Sequence, residues 1–334
     1  MSSSENLPLR DAAVGIAGYR SSRTDPLAGP TAAVLDLLAR YGVTAARIDS
    51  RTWEELALMR ALHREHAPTT ALHGGGPVLI DRAPRLEREL WVTRRDDIDV
   101  AVATAEHQRV TWLPVGIADP DLAAHAVETA HRAGLRVSAE GIGDVPGLGP
   151  DDHVGAMPDV LRRIDDTPLT LLQRWAEAAD DGIRLLRGAV DAGATVGSGL
   201  LALRRAVFVR EALDAPFLDE LEPILPHASH LRELKRPGGY LVAKRQLRQH
   251  AGLREPTRAE AERAEAGWRN LLSAAATVAD AVVPASRAPQ FTSVPGYALH
   301  EELAVLTHAG LDPHRPAEHR VFAGTPRPER VGTD

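Results

Sequence analysis

Short apolar segments alternate with longer amphipathic ones along most of this chain, and that alternation constrains the fold more than any other feature. Residues 14–20, 43–49, 69–73, 109–115, 135–140, 153–155, 194–201 and 281–283 read as strands. Helical periodicity fills 30–41, 53–66, 96–107, 119–133 and 168–192, and several of these stretches close on a glycine, as at Gly42, Gly134 and Gly193. Strands separated by helices form parallel βαβ units. About eight such units predict a closed (β/α)8 barrel of the TIM type rather than an open sheet. Residues 206–265 break the rhythm and read as a charged helical insertion between strands seven and eight. The barrel thus spans 13–313, preceded by an extended or disordered stretch (1–12) and followed by a polar, proline-containing tail (314–334).

Composition narrows the chemistry. A chain of 334 residues with 44% hydrophobic side chains can fill one barrel core. The net charge of −7, with both signs interspersed, gives no general attraction to nucleic acid or anionic membrane. The absence of cysteine removes disulfides, thiolate nucleophiles and zinc–thiolate sites. No run is apolar enough to span a bilayer and the first residues lack a signal-peptide pattern, so the expected location is the cytoplasm. Lys235 and Lys244 are the only lysines, and both fall in the insertion.

Barrel active sites gather at the C-terminal ends of the strands. The polar residues assigned there are Tyr19, Arg20, Asp49, His73, Glu140, Arg204 and Ser286, with Trp112 at the same mouth. Glu140, in an apolar mouth, would be raised in pKa and serve as general acid or base; the plainer reading is a glutamate paired with an arginine. His73 precedes Gly74, Gly75 and Gly76, so it reads either as a proton shuttle beside oxyanion-binding amides or as part of a tight turn. Tyr19 is placed to donate a proton and Arg20 to clamp a carboxylate, against loop packing and a surface charge. Asp49 would pair with one of these groups. Trp112 would stack on a ring or simply fill the cavity.

Other patterns carry less. His63 and His66 lie on one helix and read as solvated. His300-Glu301-Glu302 lacks the second histidine of a metalloprotease helix. The basic run Arg232, Lys235, Arg236, Lys244, Arg245 and Arg248 reads as a solvated face, or as a lid over an anion. No Gly-x-Ser-x-Gly elbow accompanies His73 and its glycines, and Gly141, Gly143 and Gly147 have the wrong spacing for a dinucleotide loop.

Four segments resemble the amidohydrolase superfamily, in its prolidase- and imidazolonepropionase-like branch. They are Tyr41-Gly-Val-Thr-Ala-Ala-Arg-Ile-Asp49, Ala130-His-Arg-Ala-Gly-Leu-Arg-Val-Ser-Ala-Glu140, Asp152-His-Val-Gly-Ala-Met-Pro-Asp159 and Pro295-Gly-Tyr-Ala-Leu-His-Glu-Glu-Leu-Ala-Val-Leu-Thr-His-Ala-Gly-Leu-Asp-Pro313. The resemblance implies a barrel with metal ions at its mouth and a flanking β-sandwich. No segment reads as that sandwich, so a barrel without it is expected. The family's strand-one histidine pair falls on residues 15–19, which contain no histidine. Its metal-bridging lysine falls at Trp112 or Leu113, its strand-five histidine at Glu140, its strand-six histidine at Ala156, and its strand-eight aspartate near Ala285 or Ser286.

These departures lead to the expectation of no metal and no cofactor. The expected protein is a metal-independent acid–base enzyme (a lyase, isomerase, dehydratase or cyclase) acting on a small organic molecule, in a role such as bacterial specialised metabolism. Glu140, His73 and Tyr19 would carry the catalysis, with Arg20, Asp49, Trp112, Arg204 and Ser286 contacting substrate. Two alternatives stay open. One is a non-catalytic protein binding a ligand or a partner enzyme. The other is an amidohydrolase that breaks a C–N bond with a relocated metal held by His73, His153 or Glu140. Self-association is left open.

Overall fold

In a computed structural model the residues described are 9–15, 28–49, 52–82, 89–140, 145–163, 166–225, 229–250, 254–288, 292–312 and 322. The elements run β1 (Leu9–Gly15), α1 (Ala28–Arg40), β2 (Val43–Asp49), α2 (Trp53–His66), β3 (Ala71–Gly75), β4 (Val78–Ile80), β5 (Glu89–Trp91), α3 (Arg95–His107), β6 (Trp112–Val115), α4 (Pro120–Arg132), β7 (Arg136–Ala139) and β8 (His153–Val154). They continue with α5 (Pro168–Glu177), α6 (Ala179–Asp191), β9 (Thr195–Gly197), α7 (Leu200–Val207), α8 (Val209–Leu213), α9 (Ser229–Leu234), α10 (Tyr240–His250), α11 (Arg258–Thr277), β10 (Val282–Val283) and α12 (Tyr297–His308).

Eight strands pair in parallel in the order β1-β2-β3-β6-β7-β8-β9-β10, which is the predicted barrel. Between β10 and β1 the seam is bridged by the Ser286 amide, which donates to Asp11 Oδ1 at 2.9 Å. Strand one, read from the sequence at 14–20, begins earlier, at Leu9, and is seen over Leu9–Gly15; residues 16–20 lie outside the described residues. The sequence reading missed β4 and β5, which lie off the ring, β4 pairing with both β5 and β6. Three-residue strands carry too little alternation to be read.

Period-two alternation separates two environments. On β2, Ala46 and Ile48 pack into the outer core with α1 and α2, while Ala45 packs in the barrel interior with Trp112, Val283, Ala285 and Phe322. Two outer cores result. One joins β2, β6 and β7 to α1–α4, and the other joins β8, β9 and β10 to α5, α6, α7, α11 and α12. The single long helix expected over 168–192 is broken at Ala178 (φ −128°, ψ 37°). The bend lets α6 lay Gly182 against the ring of Trp175, whose Nε1 donates to the Pro158 carbonyl at 3.0 Å.

The insertion is narrower than 206–265. It comprises α8, the short helix α9 and α10, while α11 crosses α5 at Gly267 and packs in the outer core. Four residues of the basic run are ion-paired. Lys235 pairs with Glu222 (2.9 Å) and Asp219 (3.2 Å), Arg236 with Glu233, and both Lys244 and Arg248 with Glu255.

The segment His300-Glu301-Glu302 proves to be a clamp. His300 meets the Tyr41 carbonyl at 3.1 Å and Glu301 pairs with Arg205 at 2.7 Å. Buried Glu302 accepts the Leu200 and Leu201 amides, both at 2.8 Å, and so caps α7. Burial pushes the Glu302 carboxyl up, partly offset by these hydrogen bonds. Glu302→Ala is expected to cost about 2 kcal/mol, because two buried amides lose their acceptors. A urea midpoint shows this; one unchanged from wild type would contradict the capping role.

Candidate active site

The C-terminal end of β7 delivers Glu140 to the barrel mouth, and the interior strand positions determine what meets it. Arg47 on β2, with a side chain only 1% exposed, crosses the barrel. Its Nη2 donates to Glu140 Oε1 at 2.9 Å, and its Nη1 contacts Ser138 Oγ. Ser138 Oγ in turn donates to the same Oε1 at 2.7 Å. One carboxylate oxygen is thus fully committed. The other, Oε2, lies 4.0 Å from Arg287 Nη2 and makes no hydrogen bond among the described residues. Arg287 Nη1 also donates to Asp159 Oδ2 at 3.0 Å, and Asp159 pairs with Arg162. Burial opposes ionisation of Asp159, yet the two guanidiniums hold its carboxyl below the usual range. Arg287 has φ +52°, a strained conformation for a residue with a side chain.

Gly155 makes room for this arrangement. A Cβ there would run into the Glu140 carboxyl group. Gly155→Ala is therefore expected to displace Glu140 from Arg47 and cost about 1–3 kcal/mol, as overpacking does. Full stability in the alanine variant would contradict this packing.

Below the mouth the interior is filled. The Trp112 ring is flanked by the guanidinium of Arg136 at 5.5 Å and that of Arg47 at 5.8 Å, with the His153 ring edge-on at 6.0 Å. His153 Nδ1 meets Thr195 Oγ1 at 3.0 Å, while its Nε2 is buried without a hydrogen bond among the described residues. Burial, and then the charge of Arg47, push its pKa well below the ordinary value. His73 packs edge-on against Phe322 at 4.9 Å, both ring nitrogens buried and unbonded among the described residues. Burial first, then Arg136 and Arg10, lower its pKa to about 4.

Several assignments change. Glu140 does not stand in an apolar mouth; it is ion-paired. His73 lies inside β3 and not at its end, so it does not reach the mouth. Gly74 and Gly75 belong to the strand, and Gly74 and Gly76 lie flush against Leu56 and Trp53 of α2 rather than lining an oxyanion site. Trp112 fills the interior. Ser286 is buried in the seam, where its Oγ accepts from the Ala288 amide at 3.2 Å. Arg204 is not at the mouth. It pairs with Glu211 (2.7 Å) and Glu265 (3.2 Å) and stacks on Phe208 and Trp268. Tyr19 and Arg20 lie outside the described residues, as does the side chain of Asp49.

Arg47, Ser138, Gly155, Asp159 and Arg287 were missed. One signal was available: Arg47 shares the inward face of β2 with Ala45, and a charge inside a barrel must be paired. A small cleft, about 40 Å³, opens beside Asp159, Arg162 and Arg287. A larger one, about 330 Å³, lies away from the mouth on the insertion, lined by Leu213, Leu218, Leu231 and Leu234 with Asp219, Glu222 and Lys235.

The donors present do not fit a two-metal centre. Of the pair matching the bridging lysine, Trp112 faces inward with an indole and Leu113 faces the outer core. Ala156 and Ala285 offer no ligand, and Glu140 is engaged by a guanidinium. Among the described residues no three histidine, aspartate or glutamate side chains converge where they could hold an ion. No helix among them is long and apolar enough to cross a membrane.

No protein-family model matches the sequence, and no curated protein does. Solved structures do match. A bottromycin amidohydrolase aligns with TM-score 0.60 and 19% identity over 93% of this chain. A Xaa-Pro dipeptidase with bound methionine aligns at 0.51 and 10% identity over 96%, and an ochratoxinase from A. niger at 0.51 and 11% over 92%. The chain spans 65%, 73% and 68% of those three proteins. The chain shares its fold with these three proteins.

Proposed function

From an amidohydrolase-type barrel whose donors do not form the metal centre, we propose a metal-independent enzyme that moves a proton on a small polar organic molecule. Elimination, isomerisation, dehydration and cyclisation all fit this chemistry. One observation carries the reading: Glu140 has one oxygen fixed by Arg47 and Ser138, and a second that is open toward Arg287. A general base needs that combination of a fixed carboxylate and a free lone pair. Arg287 is the neighbouring cation for charge that develops on substrate. Tyr19 and Arg20 remain assigned as proton donor and carboxylate clamp, and Asp49 as a substrate contact. His73, buried inside β3, is withdrawn from proton transfer. A cytoplasmic location and a role in specialised metabolism belong to the same reading.

A second reading is a non-catalytic protein that binds a ligand or partner. It is favoured by the interior packed with Trp112 and Phe322 and by the smallness of the cleft at Arg287.

The test is turnover of a panel of small amides, lactams and hydroxy acids by chelator-treated protein, followed by mass spectrometry. The expected result is turnover that survives chelation and falls about 100-fold or more in Glu140→Gln, the scale of a lost general base. Turnover that requires added zinc or manganese, or that is untouched in Glu140→Gln, would contradict it.

A further inference from the structure

We infer that Arg47 is the resident cation of this barrel, holding the place of a divalent ion and keeping Glu140 and His153 from binding one. The inference rests on the metal-independent reading and adds the residue responsible for it.

Three observations lead here. First, the Glu140 carboxyl reaches back to Ser138, the β7 position that pairs with His153. Second, both donors gather around the same pair of glycines. A Cβ on Gly155 would run into the Glu140 carboxyl, and one on Gly197 would stand 3.1 Å from His153 Nε2 and against the Gly155 carbonyl. Third, His153 Nε2 is buried and carries no hydrogen bond among the described residues. An imidazole nitrogen and a carboxylate are ordinary ligands for zinc and cobalt. Arg47 denies them that role in two ways. It occupies Glu140 Oε1, and it places a fixed positive charge beside both donors, where a second cation would be repelled. Its contact with the Trp112 ring, 5.8 Å from the centroid, helps hold the guanidinium in position.

Removing the charge then uncovers a metal site. Arg47→His removes the fixed charge and offers a third donor from the inward face of β2, the donor count of a catalytic zinc centre. Cobalt is the probe, because its visible absorption reports inner-sphere nitrogen and oxygen ligands. The expected result is one equivalent of Co²⁺ with visible bands in Arg47→His. Weaker binding is expected in Arg47→Ala, and none in Arg47→Lys, which keeps the charge. His153→Ala added to Arg47→His abolishes the bands, an outcome that a purely structural role for Arg47 does not produce. Folded Arg47→His and Arg47→Ala without Co²⁺ binding would overturn this inference and leave the metal-independent reading standing. Stoichiometric Co²⁺ in the wild-type barrel, lost in Glu140→Ala, would overturn both. Where the variants do not fold alone, they are refolded with and without Co²⁺. Recovery only with the ion supports the assignment, and failure in both conditions overturns it.

Discussion

Arg47→Met is expected to lower folding stability by about 3–5 kcal/mol, the cost of breaking a buried ion pair by deleting one partner. Arg47 is fully buried and Glu140 nearly so, and the guanidinium supplies a hydrogen bond to each of Glu140 and Ser138. The variant leaves Glu140 with Ser138 as its remaining close donor and with Arg287 at 4.0 Å. It also removes one guanidinium from the face of Trp112. Neutralising the partner as well, in Arg47→Met/Glu140→Leu, is expected to restore most of the loss, because two apolar groups carry no unpaired charge. Urea denaturation of the two single variants and the double variant measures this. A loss for Arg47→Met within about 0.5 kcal/mol, the range of an ordinary surface change, would show that the pair is not buried as described.

The second large effect is acid sensitivity. In the unfolded chain a histidine takes up its proton near pH 6.5, whereas folded His73 does so only at about 4. Between those values the unfolded state binds more protons, so stability falls as pH falls. The contribution is fully present above pH 6.5 and is lost progressively on the way down to about 4. A shift of that size corresponds to about 3 kcal/mol. The buried imidazole of His153 acts in the same direction, with Arg47 disfavouring its charged form. His73→Leu is expected to flatten the slope between pH 6.5 and 4, measured by urea midpoints across that range. A wild-type protein that gains stability on acidification there, or a leucine variant with an unchanged slope, would contradict the account.

How legible this was depends on the range of each interaction. Helix boundaries are local: Thr52 capping Glu55, Asp119 before Pro120, and Thr257 with Glu260 all lie within a few residues of one another. The alternation that produces a barrel is local as well, and the position of Glu140 at the end of strand five followed from it. The partner of Glu140 was not legible, because Arg47 stands 93 residues away and reaches it only through the register of the closed sheet. His73 was misread for a related reason. Its three following glycines resemble a turn, but Gly74 and Gly76 are required by the close approach of Leu56 and Trp53, a tertiary demand. Arg204 was placed at the mouth by counting from a strand that ends at Gly197, whereas α7 had already begun and carries it to Glu211 and Glu265.

The central proposal is that the Arg47–Glu140 network serves a barrel that works without metal. The most direct measurement is the metal content of untagged wild-type protein, with its thermal midpoint recorded in chelator and in excess zinc. The account predicts substoichiometric metal and a midpoint unmoved by either treatment, because no three ligating side chains converge among the described residues to couple binding to folding. One or more equivalents of zinc, manganese or iron, removed by chelator with a fall in midpoint and absent from Glu140→Ala, would contradict it.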